Sequence, residues 1–254
     1  MATPISINMN INFGKVFHRF SKDKQMRGMV NIPEDKSLWP DNWRTVQFKT
    51  YDRFPKIQLP EPSLSIDLAT AVSERVSTRK WSDKPLTLQQ ISNLLYYSCG
   101  QFKNKKGGEF EYSRAQASGG IRYPVEVYFI NYKKGDLEQK VYHYNIKTHA
   151  LDVLWNVEDT DIPTFSSYEW AADAGCMIVL TGCVDRTVSK YGERGYRYMY
   201  FEAGAIAHGI NLIAKSQSMG VCLMGGTQDV ALEKCLDIDG EHETLLLGVV
   251  GGNL

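Results

Sequence analysis

"SKYGERGYRYMYFEAGAIAHG", residues 189–209, places a charged, glycine-containing stretch directly before a long apolar run. The spacing of apolar residues predicts one long helix from about Tyr196 to Met219. Between Phe201 and Ile213 the apolar residues occupy more than one helical face, which predicts burial in the core or at a subunit interface. The stretch before the helix has two interpretations. Lys190 and Tyr191 lie either in a solvated turn or in a loop that holds a reacting group over a bound ligand.

Apolar runs on both sides of this helix predict a sheet. "CMIVLTGCV" (176–184) and "TLLLGVVGG" (244–252) are continuous apolar runs of strand length, as expected for buried strands. "VEVYFINY" (125–132) predicts a third strand, and "KVYHYNIKTHALDVLW" (140–155) predicts a hairpin whose flanking histidines, His143 and His149, are exposed. Helices and strands alternate irregularly, so the fold class is predicted to be α+β, with a mixed central sheet flanked by helices.

The first part of the chain differs in composition. Residues 1–62 are irregular and rich in proline and aromatic residues, which predicts an extended segment that wraps a larger body. Residues 63–254 are predicted to form the main domain. Its first helix is expected to run past Val76, and its second to begin with a capping box formed by Thr87 and Gln90.

Composition excludes several classes of protein. The 254 residues are 43% hydrophobic, and the 29 basic side chains balance the 29 acidic ones. A neutral surface gives no reason to expect a nucleic acid or a membrane as a partner. The five cysteines are scattered and form no C-x-x-C pair, so neither a disulfide framework nor a metal site is predicted. No signal peptide or membrane-spanning run is found, and we expect a cytoplasmic protein with reduced thiols.

Two arginines and a serine form the first candidate site. Arg75, Ser77 and Arg79 fall at alternate positions where the first helix is expected to end. Guanidinium groups match phosphate oxygens in geometry, so the three side chains can clamp a phosphate. The alternative is that the arginines only complement the helix dipole.

Two glycine turns form the other candidates. Ser118, Gly119 and Gly120 precede a strand, and Gly225 and Gly226 follow one. Adjacent glycines allow backbone to approach a flat ligand and to point N–H groups at it. The alternative is an ordinary turn at each place. No G-x-G-x-x-G sequence follows a strand, so a Rossmann dinucleotide site is not predicted.

Taken together, "R-x-S-x-R", "SGG-x-x-YPVEVY", "KYGERGYRY-x-x-x-EAG" and "G-x-x-x-x-GG" resemble the nitroreductase-like flavoproteins, and most of all the SagB-type azoline peptide dehydrogenases. The resemblance implies a nitroreductase-like fold and a homodimer that binds FMN at the subunit interface. It implies a substrate peptide that contains heterocycles, and a cyclodehydratase complex as partner. The sequence departs from the family pattern at "ASGGI" and "CLMGGTQ", both near the implied flavin.

Residue roles follow from the resemblance. It implies that the clamp residues, Arg75, Ser77 and Arg79, hold the FMN phosphate and ribityl chain. It implies that the serine-glycine turn lines the isoalloxazine ring and that the second glycine turn supplies backbone close to the flavin. It associates Lys190 and Tyr191 with catalysis. Lys190 can be a base only if burial or a nearby cation lowers its pKa; Arg194 and Arg197 are the expected cations. Glu202 is expected to form a plain salt bridge.

Three functions remain open at this point. The leading one is the oxidation of azoline rings to azoles by an FMN-dependent dehydrogenase. The second is reduction of nitro compounds or quinones with NAD(P)H. The third is a partner that binds flavin only for stability within a biosynthetic complex. The first two would use the same flavin site, so the fold does not separate them. The Lys190–Tyr191 pair favours the first.

Overall fold

The computed structural model describes residues 12–22, 31–65, 67–103 and 111–254. Within them the chain forms seven α-helices: α1 (Phe13–Phe20), α2 (Asp41–Arg44), α3 (Leu68–Ser73), α4 (Leu88–Cys99), α5 (Asp185–Tyr191), α6 (Arg194–Lys215) and α7 (Asp229–Leu236). It also forms nine strands: β1 (Lys56–Gln58), β2 (Gln101–Lys103), β3 (Tyr112–Arg114), β4 (Val125–Asn131), β5 (Lys140–Asn145), β6 (Ala150–Asn156), β7 (Cys176–Cys183), β8 (Met219–Met224) and β9 (Glu243–Asn253).

Seven strands make one sheet in the order β1-β6-β5-β4-β7-β9-β8, and its paired strands run antiparallel. β7 lies inside the sheet between β4 and β9, and all but its last residue are buried. Ile178 and Leu180 of β7 belong to a core cluster that α4 and α6 also form, whereas Met177 and Val179 belong to a second cluster with α7. Alternate residues of a strand point to opposite faces, so helices cover both faces of the sheet. The predicted α+β class is confirmed.

Two local predictions are also confirmed. α4 begins with the Thr87–Gln90 capping box, in which each side chain accepts a hydrogen bond from the other residue's backbone N–H. β5 and β6 form the predicted hairpin, with Asn145 paired to Ala150 across the turn. All five cysteines are free. Among the described residues, no helix combines the length and the apolar character needed to cross a membrane.

The first helix of the main domain is shorter than predicted. α3 ends at Ser73, so Val76 and the three clamp residues lie beyond it in extended chain. The backbone N–H of Thr78 donates to the carbonyl of Val221, and Ser77 pairs with the same residue in a parallel bridge. Pairing with the edge strand β8 replaces the helix here. The arginines therefore do not complement a helix dipole.

The long helix also differs in its bounds. α6 ends at Lys215, and Met219 begins β8 instead of ending the helix. Ser218 adopts a left-handed conformation with φ of 56°, and the chain then pairs with the end of β9. Upstream, Lys190 and Tyr191 lie in the last turn of α5 and not in a loop. The pairing of Met219 with Asn253 in β9 places Met219 in a strand, and local periodicity does not report a contact with so distant a residue.

The expected exposure of His143 is wrong. Its side chain is fully buried, where Nδ1 lies 3.1 Å from the Asp152 carboxylate and Nε2 lies 2.9 Å from that of Glu126. The three residues come from β5, β6 and β4, so the histidine joins three neighbouring strands. His149 is half-buried and contacts the hydroxyls of Ser92 and Tyr144. Glu126 of β4 and Ser92 of α4 lie outside the hairpin, so its alternating pattern does not predict that they contact these histidines.

Candidate functional site

Lys190 is buried at the end of α5. Its side chain is 3% exposed, and its Nζ lies 3.6 Å from the centroid of the Trp39 ring and 5.9 Å from that of Trp43. An ammonium over an indole face is attracted by the ring quadrupole, and the attraction grows when water is excluded. Both tryptophans come from the segment before residue 63, and their rings lie against the lysine.

Gly120 places the serine-glycine turn against Lys190 and Tyr191. Its φ is 61°, a left-handed conformation that favours glycine. A Cβ at Gly120 would overlap the hydroxyl oxygen of Tyr191 and lie 3.4 Å from Nζ of Lys190. Gly119 lies beside the ring of Tyr198. That ring is also in edge-to-face contact with the Tyr191 ring, with centroids 4.9 Å apart. The structure thus places two of the sequence motifs in one cluster, which we call the lysine cluster: Gly120, Lys190 and Tyr191.

The Tyr191 hydroxyl is kept in its protonated form. Burial raises the pKa of Tyr191, the neighbouring Tyr198 raises it further, and the guanidinium of Arg122 opposes both. A phenol whose pKa lies above its usual value of about 10 is neutral at physiological pH. Tyr191 is therefore equipped to donate or relay a proton and not to remove one.

A cavity of about 310 Å³ opens beside the lysine cluster. It lies between α2, α5 and the short 3₁₀ turn at Gly119–Ile121. Its lining consists of two indoles, one aliphatic side chain, one glycine and three basic side chains: Trp39, Trp43, Ile121, Gly120, Lys36, Arg44 and Lys190. This volume is at the lower end of the range of small-molecule sites.

Arg122 fixes the wall of that cavity. Its Nε donates to the carbonyl of Arg186 at 3.1 Å, while its terminal nitrogens donate to the carbonyls of Asn42, Trp43 and Thr45. The last three carbonyls lie at the C-terminal end of α2, where a cation complements both the unpaired carbonyls and the helix dipole. Arg122 was not among the site residues predicted from the sequence, although it lies directly after the serine-glycine turn.

The cations expected near Lys190 lie elsewhere. Arg194 donates to the carbonyls of Ser21 and Lys22, and Arg197 donates to the Ser21 hydroxyl and the carbonyl of His18. Both arginines therefore tie the end of α1 to the start of α6, which corrects the assignment of Arg194 and Arg197 to Lys190. The basic residues that share the cavity with Lys190 are Lys36 and Arg44.

The clamp residues lie along β8. Ser77 and Arg79 are exposed, and Arg75 is half-buried. Within the described part of the chain, none of their side chains forms a hydrogen bond or an ion pair. The guanidinium carbon of Arg79 lies 5.6 Å from the ring centroid of Trp170. Two available guanidinium groups and a hydroxyl suit an anionic ligand.

The second glycine turn lies next to the same aromatic residues. A Cβ on Gly226 would lie 2.7 Å from the ring of Tyr168, and that ring stacks on Trp170. A Cβ on Gly225 would have no protein atom within 4 Å. Arg79 and Gly226 thus contact one stacked pair, Tyr168 and Trp170. We call this group the clamp cluster: Arg75, Ser77, Arg79, Gly225 and Gly226.

The two clusters are at different positions in the sheet. The lysine cluster includes the turn that leads into β4, whereas the clamp cluster lies along β8 and just after it. β7 and β9 separate these strands. Three strand spacings of about 4.8 Å amount to roughly 14 Å. The structure therefore brings the candidate residues into two groups and not into one.

Glu202 differs from its expected salt bridge. It is 2% exposed, and Oε1 accepts a hydrogen bond from the Gln116 side chain at 3.0 Å. Burial raises the pKa of Glu202 to about 7. Arg114 is buried nearby, but its guanidinium stacks on the ring of Tyr123 at 4.5 Å and forms no hydrogen bond within the described residues. Glu202 thus holds the chain just before the serine-glycine turn through an amide, not through an arginine.

The sequence profile of the nitroreductase family matches residues 72–252. MJ1384 of Methanocaldococcus jannaschii, which is named as a nitroreductase, is 28% identical over 76% of this chain and 95% of its own. Trifolitoxin-processing protein TfxB of Rhizobium leguminosarum bv. trifolii is 26% identical over 65% of this chain, which spans only 47% of TfxB.

Solved structures show the same fold. A nitroreductase-type protein of Anabaena variabilis superposes with a TM-score of 0.65 at 24% identity over 93% of this chain and 45% of that one. A chain of the Escherichia coli microcin synthetase McbBCD complex, bound to truncated pro-MccB17, superposes with a TM-score of 0.61 at 19% identity, covering 95% of this chain and 92% of that one.

Proposed function

The chain belongs to the nitroreductase family of flavin-binding oxidoreductases, and we propose that it is an FMN-dependent dehydrogenase that oxidises azoline rings of a peptide to azoles. One observation carries the proposal. A buried lysine and a protonated tyrosine, Lys190 and Tyr191, lie directly against Gly120 beside a cavity. Azoline oxidation removes a proton from carbon together with a hydride equivalent. A proton acceptor beside a flavin is therefore the part that this reaction needs from the protein.

The residues fit FMN. The guanidinium groups of Arg75 and Arg79 have no hydrogen-bonding partner among the described residues and suit a phosphate. Gly225 adjoins open space that a side chain would fill. When bound, FMN supplies the acceptor for the two electrons. A Rossmann-type dinucleotide site is not predicted, and we infer a mononucleotide.

The roles of Lys190 and Tyr191 follow from their positions. Lys190, once it has given up its own proton, would take the proton from the ring carbon, and bound FMN would accept the hydride equivalent. The azoline would in this way lose the two hydrogens that separate it from the azole. Tyr191 remains protonated and orients the Lys190 amine or relays its proton. Trp39 and Trp43 cover the lysine and exclude water from the proton transfer.

The relatives support a peptide substrate. TfxB is named as a trifolitoxin-processing protein, and the microcin synthetase complex holds a truncated pro-peptide. MJ1384, in contrast, is named as a nitroreductase and matches this chain over most of its own length. This match favours the second candidate, a reductase of nitro compounds or quinones that is supplied by NAD(P)H.

A single-turnover experiment tests the proposal. The FMN-loaded protein is mixed without oxygen with a peptide that contains one thiazoline. We expect the flavin absorbance to bleach in proportion to the peptide, and mass spectrometry to show the loss of two hydrogens per ring. The same peptide with its ring already oxidised is the control. If NADH bleaches the flavin rapidly and the thiazoline peptide does not, the reductase is the correct assignment.

A further inference from the structure

We propose that Glu202 carries a proton on Oε2 and donates it to Oε1 of Gln116, so that the two side chains form a closed acid–amide pair. This pair positions the serine-glycine turn for the reaction at the lysine cluster. The identity of that reaction rests on the proposed function. In this role Glu202 is a positioning residue and not a catalytic one.

One half of the pair is present in the structure. Nε2 of Gln116 donates a hydrogen bond to Oε1 of Glu202 at 3.0 Å. The other oxygens of the same two side chains, Oε1 of Gln116 and Oε2 of Glu202, are buried and have no hydrogen-bond partner in the part of the chain that the structure describes. Both are acceptors when Glu202 is ionised, and a buried acceptor without a donor is costly. A proton on Oε2 turns one of the two into a donor and satisfies both atoms at once.

The surroundings of Glu202 act in opposite directions on its proton. Burial is the largest influence and raises the pKa of Glu202 to about 7, whereas hydrogen bonds to its oxygens and the charges of Arg114 in β3 and Arg186 in α5 lower it. Cys99 of α4 keeps its proton, because burial raises its pKa to about 12. The guanidinium nitrogens of Arg114 have no hydrogen-bond partner among the described residues, so an ionised Glu202 would be drawn toward Arg114 and away from Gln116.

The position of the pair on α6 gives it its role. Tyr198 and Glu202 are four residues apart and lie on the same face of the helix. Tyr198 lies beside Gly119, and Glu202 bonds to Gln116, so α6 holds the start of the serine-glycine turn at two points one helical turn apart. Gly120, the next residue of the turn, lies against the side chains of the lysine cluster. Opening of the acid–amide pair would therefore release the turn beside the proposed reaction.

Infrared spectroscopy of the FMN-loaded protein detects the proton directly. At about pH 6 ordinary carboxyl groups, with pKa values of about 3.9–4.3, are ionised. The difference spectrum between the natural protein and Glu202→Gln should show the C=O stretch of a protonated carboxyl group, and this band should disappear as the pH rises through about 7. Glu158→Gln, at an exposed position, is the control and should retain the band. A natural protein without the band, or a band that Glu202→Gln retains, would overturn the inference.

An exchange of the two side chains checks that the proton belongs to the pair. Gln116→Glu with Glu202→Gln rebuilds an acid–amide pair with the acid on the other residue, so the band that is lost in Glu202→Gln should return. Its absence in the folded exchanged variant would show that Gln116 does not share the proton, and would overturn the pair.

The positioning role is measured by a ratio of rates. Single-turnover reduction of the flavin by a thiazoline peptide is followed between about pH 6 and pH 8. An amide at position 202 keeps both hydrogen bonds at every pH, whereas the natural pair opens as Glu202 ionises. The rate of Glu202→Gln divided by that of the natural protein should therefore rise about tenfold over this range. Titration of Lys190 is common to both proteins and cancels in the ratio, so a ratio that does not change with pH would contradict the positioning role.

Two measurements without substrate separate this inference from the proposed function. The infrared band reports on the pair even if the protein does not oxidise azolines. Hydrogen exchange at residues 117–121 should be faster in the natural protein than in Glu202→Gln at about pH 8, and equal in the two at about pH 6. Both results without thiazoline oxidation would leave the pair intact and remove the proposed reaction. Thiazoline oxidation with neither result would do the reverse.

Discussion

A buried lysine needs a reason to be there, and at Lys190 the surroundings provide two. The Trp39 ring offers its negative face at 3.6 Å, and the cavity leaves room for a ligand beside the amine. A cation–π contact contributes on the order of 0.5–2 kcal/mol. Lys190 therefore both packs the N-terminal segment and faces the site where the reaction is proposed to occur.

Lys190→Met separates these two roles. Methionine keeps most of the buried volume and loses the amine, so we expect FMN binding to persist. The free energy of unfolding should fall by about 0.5–2 kcal/mol, the size of the lost cation–π contact. Azoline oxidation should fall about 10²–10⁴-fold, the usual worth of general acid–base catalysis. Lys147→Met, at an exposed position, is the control. Normal turnover in Lys190→Met would show that another group takes the proton.

Gly225→Ala tests the fit of FMN at a single atom. The added methyl meets no protein atom within 4 Å, so the stability of the apoprotein should not change. If the flavin occupies this space, its affinity should fall, and fluorescence titration with FMN measures the loss.

Arg75→Gln with Arg79→Gln should weaken FMN binding about ten- to a hundredfold by removing charge-assisted contacts to the phosphate. Unchanged FMN affinity in both variants would remove the clamp cluster from the cofactor site.

At the scale of elements, His143 joins three strands by ion pairs. Burial alone would lower the pKa of His143, but hydrogen bonds to Asp152 and Glu126 raise it above its usual value. The stabilisation belongs to the protonated form. It is complete below about pH 6.5, the pKa of an unperturbed histidine, and is lost as the pH rises through the raised pKa of the folded state.

Urea unfolding at several pH values checks this dependence. The free energy of unfolding should decrease above pH 6.5 in the natural protein, and the decrease should be smaller in His143→Gln. His242→Gln is a matched control, because His242 also pairs with a carboxylate, that of Asp239, but is exposed. An identical pH dependence in His143→Gln and the natural protein would contradict the role of His143.

Elements that local sequence determines were predicted correctly, and elements fixed by distant partners were not. The Thr87–Gln90 capping box and the β5–β6 hairpin depend on residues a few positions apart. The end of α3 depends on pairing with Val221, and the burial of His143 depends on Glu126 in another strand. Lys190 and Gly120 were singled out separately, but their contact joins parts of the chain 70 residues apart and could not be read from spacing.

Arg122 tests how the N-terminal segment is attached. Arg122→Met would leave the carbonyls of Asn42, Trp43 and Thr45 without their donor, and we expect a loss of about 2 kcal/mol or more in stability. Limited proteolysis should then cleave near α2 before the rest of the domain. Arg53→Met, which changes an exposed arginine, should not alter the cleavage pattern. Simultaneous cleavage throughout the domain would mean that Arg122 supports the whole fold and not this segment.

At the scale of the whole molecule, an apolar surface remains uncovered. On α6, Phe201 is 69% exposed and Tyr200 is 53% exposed, and on the adjoining α3 Leu68 is 62% exposed. Together with the roughly 14 Å between the strands β4 and β8, on which the two clusters depend, this surface supports the proposal of a homodimer. In such a dimer the lysine cluster of one subunit and the clamp cluster of the other would form one flavin site.

Phe201→Glu should test the surface. The residue is exposed in the single chain, so the fold should persist while light scattering shifts from the dimer to the monomer mass. FMN should be lost at the same time if two subunits build its site. Val230→Glu, at a position 80% exposed on α7, is the control and should stay dimeric. A monomeric natural protein that still binds FMN would contradict the dimer.

Mixing two inactive variants tests how the site is shared. One variant carries Lys190→Met and the other carries Arg75→Gln with Arg79→Gln, and the two are co-expressed with different tags. If each site takes its lysine cluster from one subunit and its clamp cluster from the other, a mixed dimer has one site with both clusters intact. With random pairing, half of the dimers are mixed, so about a quarter of the natural single-turnover flavin reduction should return. If both clusters of a site come from the same subunit, every site in the mixture carries one defect, and no activity returns.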